Sequence, residues 1–297
     1  MTQFLYLSTV LIWGTTWIAI PFQLGEVPVL TSVFYRFALA ATIMMSLVMV
    51  SRRLQTTSKQ DHGFMVLQGL CLFSLNFVCF YTAGLAITSG LLSVIFSAAT
   101  LFNVINNRIF WGEKPTRAIF GASFLGIVGL SLMFWPELQR DSSKGVDFTS
   151  IGFAFLGTFL FSLGNMISVR HYKKNLKPFT TSAYAMIYGA LFLAILLVIT
   201  GTPLAWDSQP QYLGSLFYLA IVGTVAGFTA YLSLVGRIGA SKAAYATVMF
   251  PVVALALSTV FEGYLWTLSS VGGLVLVLLG NGFILGIKLP LSNRVKA

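Results

Sequence analysis

VLTSVFYRFALAATIMMSLVMV, residues 29–50, carries Arg36 as its single charged residue. A run of about 20 such residues crosses the hydrocarbon of a bilayer as an α-helix. In lipid each backbone N–H and C=O has to bond within its own segment, so the run reads as a helix and not as an open strand. Pro28 stands where a helix starts, and Arg52 and Arg53 follow its end. Extending the same reading outward places further spans at roughly 3–21, 63–83, 90–111, 116–135, 150–169, 179–200, 212–235, 242–261 and 266–287. Pro115 and Pro178 stand at helix starts, Pro21 and Pro136 at helix ends. The expected class is all-α integral membrane, with ten transmembrane helices.

Composition agrees. Of 297 residues, 57% are hydrophobic and only 9% charged, against about 25% charged in a soluble domain. So few charges cannot clothe a water-exposed surface, which excludes a soluble enzyme. A net charge of +10 in a soluble protein would suggest nucleic acid. Here the basic residues sort by side of the membrane. With the N-terminus inside, 15 of the 18 Lys and Arg fall in cytoplasmic segments, and the outer loops hold only Arg140 and Lys144. That asymmetry predicts a multi-pass protein of the cell (inner) membrane with both termini cytoplasmic. Trp135, Trp206 and Trp266 near outer ends, and Trp111 near an inner one, fit an aromatic belt. The first apolar stretch is too long and lacks the charged region of a cleaved leader, so it is read as a span. Cys71 and Cys79 lie on one helix about 12 Å apart, too far for a disulfide.

The two halves repeat at an offset of 150. Gly14 falls on Gly164, Thr31 and Ser32 on Thr181 and Ser182, Ala40 on Ala190, and Tyr81 on Tyr231. After a one-residue slip, Thr116 meets Thr267, Gly121 meets Gly272 and Gly129 meets Gly280. The expected units are 1–135 and 150–297, joined by the periplasmic connection 136–149. Each unit holds an odd number of spans, five, so the second enters the membrane inverted. Inverted repeats let two similar bundles exchange roles around a central site, which is how transporters are built.

WGTTWIAI (13–20), YRFALAA (35–41), FWGEKPT with GASFLGIVGL (110–130) and IGASKAAYATVMFPVVALALSTVFEGYLWT (238–267) resemble the EamA-type branch of the drug/metabolite transporter superfamily. The resemblance runs over about 3–287. It implies a bacterial inner-membrane carrier that exports amino acids or related small metabolites. The usual proline of the fourth helix is absent, with Thr100 near its place, while Pro251 is kept in the second half as a kink or gating residue.

Polar residues at mid-depth are the candidates for a solute path. Trp13, Thr16 and Trp17 share a face at i, i+3, i+4, which would suit an organic solute or ordinary packing. Asn76 is too costly to leave facing lipid, so it faces the pore or another helix, with Ser74 beside it and Tyr81 further out. Ser93, Ser97 and Thr100 form a stripe that either lines the pore or bonds its own preceding turn. Asn103, Asn106 and Asn107 read as mouth or cap groups. The second-half counterparts are Asn165, Tyr184, Tyr188, Thr224, Tyr231 and Tyr245. Arg36, about 10 Å inside its span, is a site candidate for a substrate carboxylate. Its alternatives are snorkelling to the surface or pairing with Glu26.

No Asp or Glu falls in mid-span, His62 and His171 lie in connections, and no phosphate-binding glycine loop occurs. A cofactor and a metal are therefore not expected, and carboxylate-gated proton coupling is not evident. Exchange or facilitated efflux of a small-molecule substrate fits these residues, with broader drug or cation efflux as the rival within transport. A lipid-acting membrane enzyme would need clustered catalytic groups, and a scaffold a sizeable soluble domain. Small residues at Ala118, Ala122 and Gly126, and at Gly282 and Gly286, suit close packing within a monomer, or a weak homodimer.

Overall fold

The computed structural model describes residues 2–112, 117–139, 148–238, 243 and 245–284, and among them no strand occurs. In chain order the helices are α1 (Thr2–Ala19), α2 (Val29–Val50), α3 (Lys59–Leu72), α4 (Leu75–Ala83), α5 (Ser89–Phe96), α6 (Ala99–Trp111) and α7 (Arg117–Gln139). They continue with α8 (Phe148–Lys173), α9 (Pro178–Thr200), α10 (Pro210–Phe217), α11 (Gly227–Ile238), α12 (Tyr245–Phe261) and α13 (Leu268–Ile284). Among the described residues six stretches are long and apolar enough to cross a membrane, including Lys59–Ala83, Ser89–Trp111 and Pro210–Ile238. Shorter apolar helices cover Phe124–Met133, Met249–Phe261 and Leu268–Gly280. The chain is an all-helical, multi-pass membrane protein.

Local chemistry sets the ends. Ser58 and Asp61 close a capping box at the start of α3. Pro178 and Pro210 occupy the first turns of α9 and α10. Gly112 and Gly201 end α6 and α9 in the left-handed conformation at φ 72 and 63.

Three of the expected spans are interrupted, which periodicity could not reveal. The stretch read as 63–83 starts earlier, at Lys59, and breaks between α3 and α4 at Ser74 (φ −151, ψ −82). The Ser74 hydroxyl lies 3.1 Å from the carbonyls of both Gly69 and Leu70; Gly69 keeps its bond from Phe73 N at 3.0 Å, so it is the Leu70 carbonyl, left by the break, that the hydroxyl satisfies. The stretch read as 90–111 breaks at Ser97–Ala98, between α5 and α6. The third, read as 212–235, is wound as a π-helix over Tyr218–Ala226, between α10 and α11. Pro136 does not end its helix: α7 runs through it to Gln139, and α8 begins at Phe148. The expected connection 136–149 thus narrows to residues 140–147, which lie outside the described residues.

The helices are inside-out by the standard of a soluble protein. On α9, Leu191, Ile195, Val198 and Ile199 are exposed as a stripe for lipid, while Ala185, Met186, Gly189 and Ala190 are buried. α9 packs on α2 and α3, α12 on α1 and α5, and α8 on α3, α4 and α6. α7 lies along α13, where the carbonyl of Gly273 would sit 2.6 Å from a Cβ placed on Gly129. The last helix of each half is therefore the close-packed pair, but through Gly129 and Gly273. Gly126 faces open space, and Gly286 with the side chains of Ala118 and Ala122 lies outside the described residues. This arrangement brings α1, α2, α4 and α5 to face α8, α11 and α12 around one central space.

Candidate functional site

That space is a narrow, ring-lined cavity between the two halves of the chain. From the first half, α1 supplies Trp13, Thr16 and Trp17, Ile20 follows just past its end, and α2 supplies Arg36. α4 and α5 add Asn76, Phe77, Phe80 and Phe96. The second half closes it with Phe161, Phe228 and Phe250. In this conformation the rings close on it and leave little free space, so a solute would part them on entering.

The rings pack mostly edge to face. Trp17 meets Phe80 at 5.3 Å and 81°, and Phe96 at 5.5 Å and 62°. Trp13 meets Phe228 at 5.1 Å and Phe161 at 5.8 Å. Trp13 also donates from Nε1 to the Gly223 carbonyl at 3.3 Å. The π-wound segment comes this near because Gly223 and Gly227 have no side chain. A Cβ would lie 2.8 Å from Thr16 Cγ2 at the first and 2.7 Å from Trp13 Nε1 at the second.

Arg36 is 2% exposed, so it neither snorkels to the surface nor pairs with Glu26. Its Nε donates to Thr224 Oγ1 at 3.1 Å and its Nη1 to Tyr81 Oη at 3.3 Å. The guanidinium lies over the Phe77 ring at 4.3 Å and near the Phe37 ring at 5.4 Å. Among the described residues no carboxylate pairs with it. The wider winding of the π segment is what presents Thr224: its hydroxyl donates five residues back, to the Leu219 carbonyl at 2.8 Å. Asn76 is fully buried, and neither Nδ2 nor Oδ1 finds a partner. A buried orphan amide in a native structure needs an explanation, and a bound solute is one.

Beside the cavity, under Trp13, runs a buried polar chain from α6 to α8 and α11. Asn106 Nδ2 donates to Ser162 Oγ at 2.9 Å, and Ser162 donates to Asn103 Oδ1 at 2.8 Å. Asn165 Nδ2 donates to Tyr231 Oη at 3.1 Å, and the Tyr231 ring lies 4.8 Å from that of Trp13. Asn103 and Asn106 are thus buried network members, not the mouth or cap groups that their place near a helix end suggested.

Of the expected site residues, the cavity gathers Trp13, Thr16, Trp17, Arg36 and Asn76. Tyr81 holds Arg36 from behind, and Asn165 and Tyr231 sit in the adjoining network. Ser97 and Thr100 do not line it: their hydroxyls donate three residues back, to Val94 O at 2.6 Å and Ser97 O at 2.7 Å. Tyr184 and Tyr188 do not either. They stack on each other at 6.5 Å beside the start of α3, where Tyr188 Oη lies 2.8 Å from His62 Nδ1. Their shared face is the one α9 turns toward α3, a direction spacing does not encode. Pro251 is buried inside α12, and the Tyr245 side chain lies outside the described residues. Sequence reasoning missed the phenylalanines of the wall; Phe80, Phe161 and Phe228 each stand one turn from a candidate polar residue (Asn76, Asn165 and Thr224), which was the usable spacing signal.

Among the polar ties between the halves, two carboxylate contacts lie at opposite ends of the α3–α4 stretch. At one, Arg170 Nη1 meets Asp61 Oδ1 at 2.8 Å. At the other, the Glu262 carboxylate accepts from Ser89 N at 3.0 Å and Ser89 Oγ at 2.6 Å, capping α5.

Comparison with known proteins places this cavity in context. The model of the EamA-like transporter family matches residues 1–135 and 148–286. An "uncharacterized transporter" of Archaeoglobus fulgidus is 26% identical, over 92% of this chain and 94% of that one. A "probable amino-acid metabolite efflux pump" of Salmonella typhimurium is 24% identical, over 93% and 92%. One of the same description from Escherichia coli is 25% identical, over 85% and 84%. A solved crystal structure covers 95% of each chain with a TM-score of 0.68 at 15% identity, a likeness of fold alone.

Proposed function

We propose that this chain, which belongs to the EamA-like transporter family and so to transporters and not enzymes, is a secondary carrier exporting small organic metabolites. Amino acids or related solutes come first among them, as the description of the Salmonella and Escherichia coli relatives suggests. Ten spans form two inverted five-helix units with both termini in the cytoplasm, and the carrier works as a monomer or weak homodimer. The family model's two separate matches support the repeat. So does the Tyr81–Tyr231 pair: both are fully buried, and each hydroxyl accepts a side-chain N–H.

The observation that carries the reading is the cavity's construction. Both halves build its wall, and it holds a buried cation and an unpartnered amide that no packing role requires. In alternating access the Asp61–Arg170 and Glu262–Ser89 ties would break in turn, opening one end while the other holds.

Flux of a metabolite panel through purified protein in liposomes tests this. Protein-dependent movement of at least one small organic metabolite, lost when a tryptophan of the wall is removed (Trp17→Ala), is expected. Movement undiminished in that variant at equal folded protein would overturn the cavity as the path.

A further inference from the structure

Granting that the cavity is the solute site, as proposed above, its charge pattern narrows the solute further. A guanidinium has five N–H donors, and Arg36 spends one on Thr224 and one on Tyr81. Its Nη2 makes no hydrogen bond to a described residue. Asn76 adds an amide with no partner at either end. Both groups line the same space. Unused N–H groups on a fixed cation beside an unpartnered amide ask for a planar group rich in acceptors and negatively charged, which describes a carboxylate.

The rest of the wall decides what else that solute can carry. Among the described residues no Asp or Glu borders the cavity, so an ammonium attached next to the carboxylate would meet no opposite charge. Aromatic faces can hold a cation, but the ring nearest the guanidinium is already engaged. The Phe77 face nearest the site already receives Arg36 itself at 4.3 Å. Trp17 is crossed by Phe80 at 81° and Phe96 at 62°, and Phe250 lies stacked against it at 6.1 Å. A solute ammonium would also stand beside the guanidinium, in a medium that screens like charges poorly.

We propose that the cavity selects monoanionic carboxylic acids with an aromatic or branched apolar body, bound by Arg36 and Asn76, over zwitterionic amino acids and organic cations of the same shape. Of the two solute groups named above, this favours the related carboxylic acids over the amino acids themselves, which the relatives' description suggests. Arg36 is the residue that sets this selectivity.

Four probes with one phenyl body separate the possibilities: hydrocinnamate, L-phenylalanine, phenethylamine and the neutral hydrocinnamamide. Binding is read from quenching of tryptophan fluorescence and flux from counterflow, both with full-length protein in liposomes. Hydrocinnamate should bind and move, with the other three weaker by about a hundredfold or more. In Arg36→Gln the preference of acid over amide should vanish, and Arg36→Lys should keep only part of it, because lysine has the charge without the planar fork. Preference for phenylalanine or the amine, or failure of the acid to bind, overturns the inference. The wild-type series decides this by itself if Arg36→Gln does not fold. Transport of the amine that disappears in Trp17→Ala would sink the charge selectivity and leave the cavity as the path. Transport of any probe undiminished in Trp17→Ala would sink the path itself.

Discussion

Arg36 Nε donates a 3.1 Å hydrogen bond to Thr224 Oγ1, joining α2 of the first half to the π-wound segment of the second. Both residues are buried, at 2% and 0% exposure. The bond matters because a guanidinium in an apolar interior is tolerated only where its donors are met. It also fixes the plane in which the remaining donors face the cavity.

Replacing the acceptor tests that role. Thr224→Val keeps the shape and leaves the buried Nε without a partner, which should cost about 1–3 kcal/mol of stability and slow transport. Thr224→Ser should restore most of both. Thermal unfolding in detergent and flux in liposomes at matched protein would report it, and a Val variant as stable and active as wild type would remove Thr224 from the site.

Asn76→Leu should divide stability from function. In the unliganded state the amide bonds nothing, so an apolar side chain of similar volume should leave stability equal or raise it by about 1–3 kcal/mol. Transport should fall sharply, because a polar contact to the solute is gone. A variant that loses stability and keeps its flux would show that Asn76 serves packing.

Glu262→Gln should weaken the tie to α5. A carboxylate at a helix N-terminus accepts from donors that have no partner within the helix, and its loss costs about 1 kcal/mol. Ser89→Ala, which keeps the backbone N–H, should cost a comparable amount, and the double variant less than the sum of the two, because the hydroxyl contact is shared between them. Additive losses in that thermal-unfolding cycle would mean the contact at 2.6 Å contributes nothing.

Orientation is open to labelling. In a background lacking Cys71 and Cys79, Trp206→Cys should react with an impermeant thiol reagent added to intact cells. Leu54→Cys should react only after the membrane is opened. Both positions are exposed, so access to the reagent depends on the side of the membrane. The reverse pattern would invert the topology.

Much of this was legible in the residues themselves. The apolar runs, the prolines and glycines at their ends and the placement of Lys and Arg act locally or through the bilayer, so they announce a helical membrane protein and roughly where its segments lie. Arg36 also stood out, because a charge well inside a span is costly wherever the chain folds. Trp13, Thr16 and Trp17 were found as a face because spacing on a single helix is a local property.

What spacing could not supply was direction. In a soluble helix the polar stripe marks the outside; here lipid and interior are both apolar, so α9 is hydrophobic all round and nothing in Tyr184 or Tyr188 says that they turn toward His62. The same loss of contrast hid Phe161, Phe228 and Phe250 among 26 phenylalanines and let Asn103 and Asn106 be read as mouth or cap groups. The breaks at Ser74 and Ser97 and the π winding that presents Thr224 depend on which carbonyls find a second partner once the helices are assembled. The sequence by itself determined a membrane helix bundle with a misplaced charge. Only the tertiary structure decided which side chains meet that charge, because the contacts that satisfy Arg36 come from residues 45 and 188 positions away, joined by packing and not by any local rule.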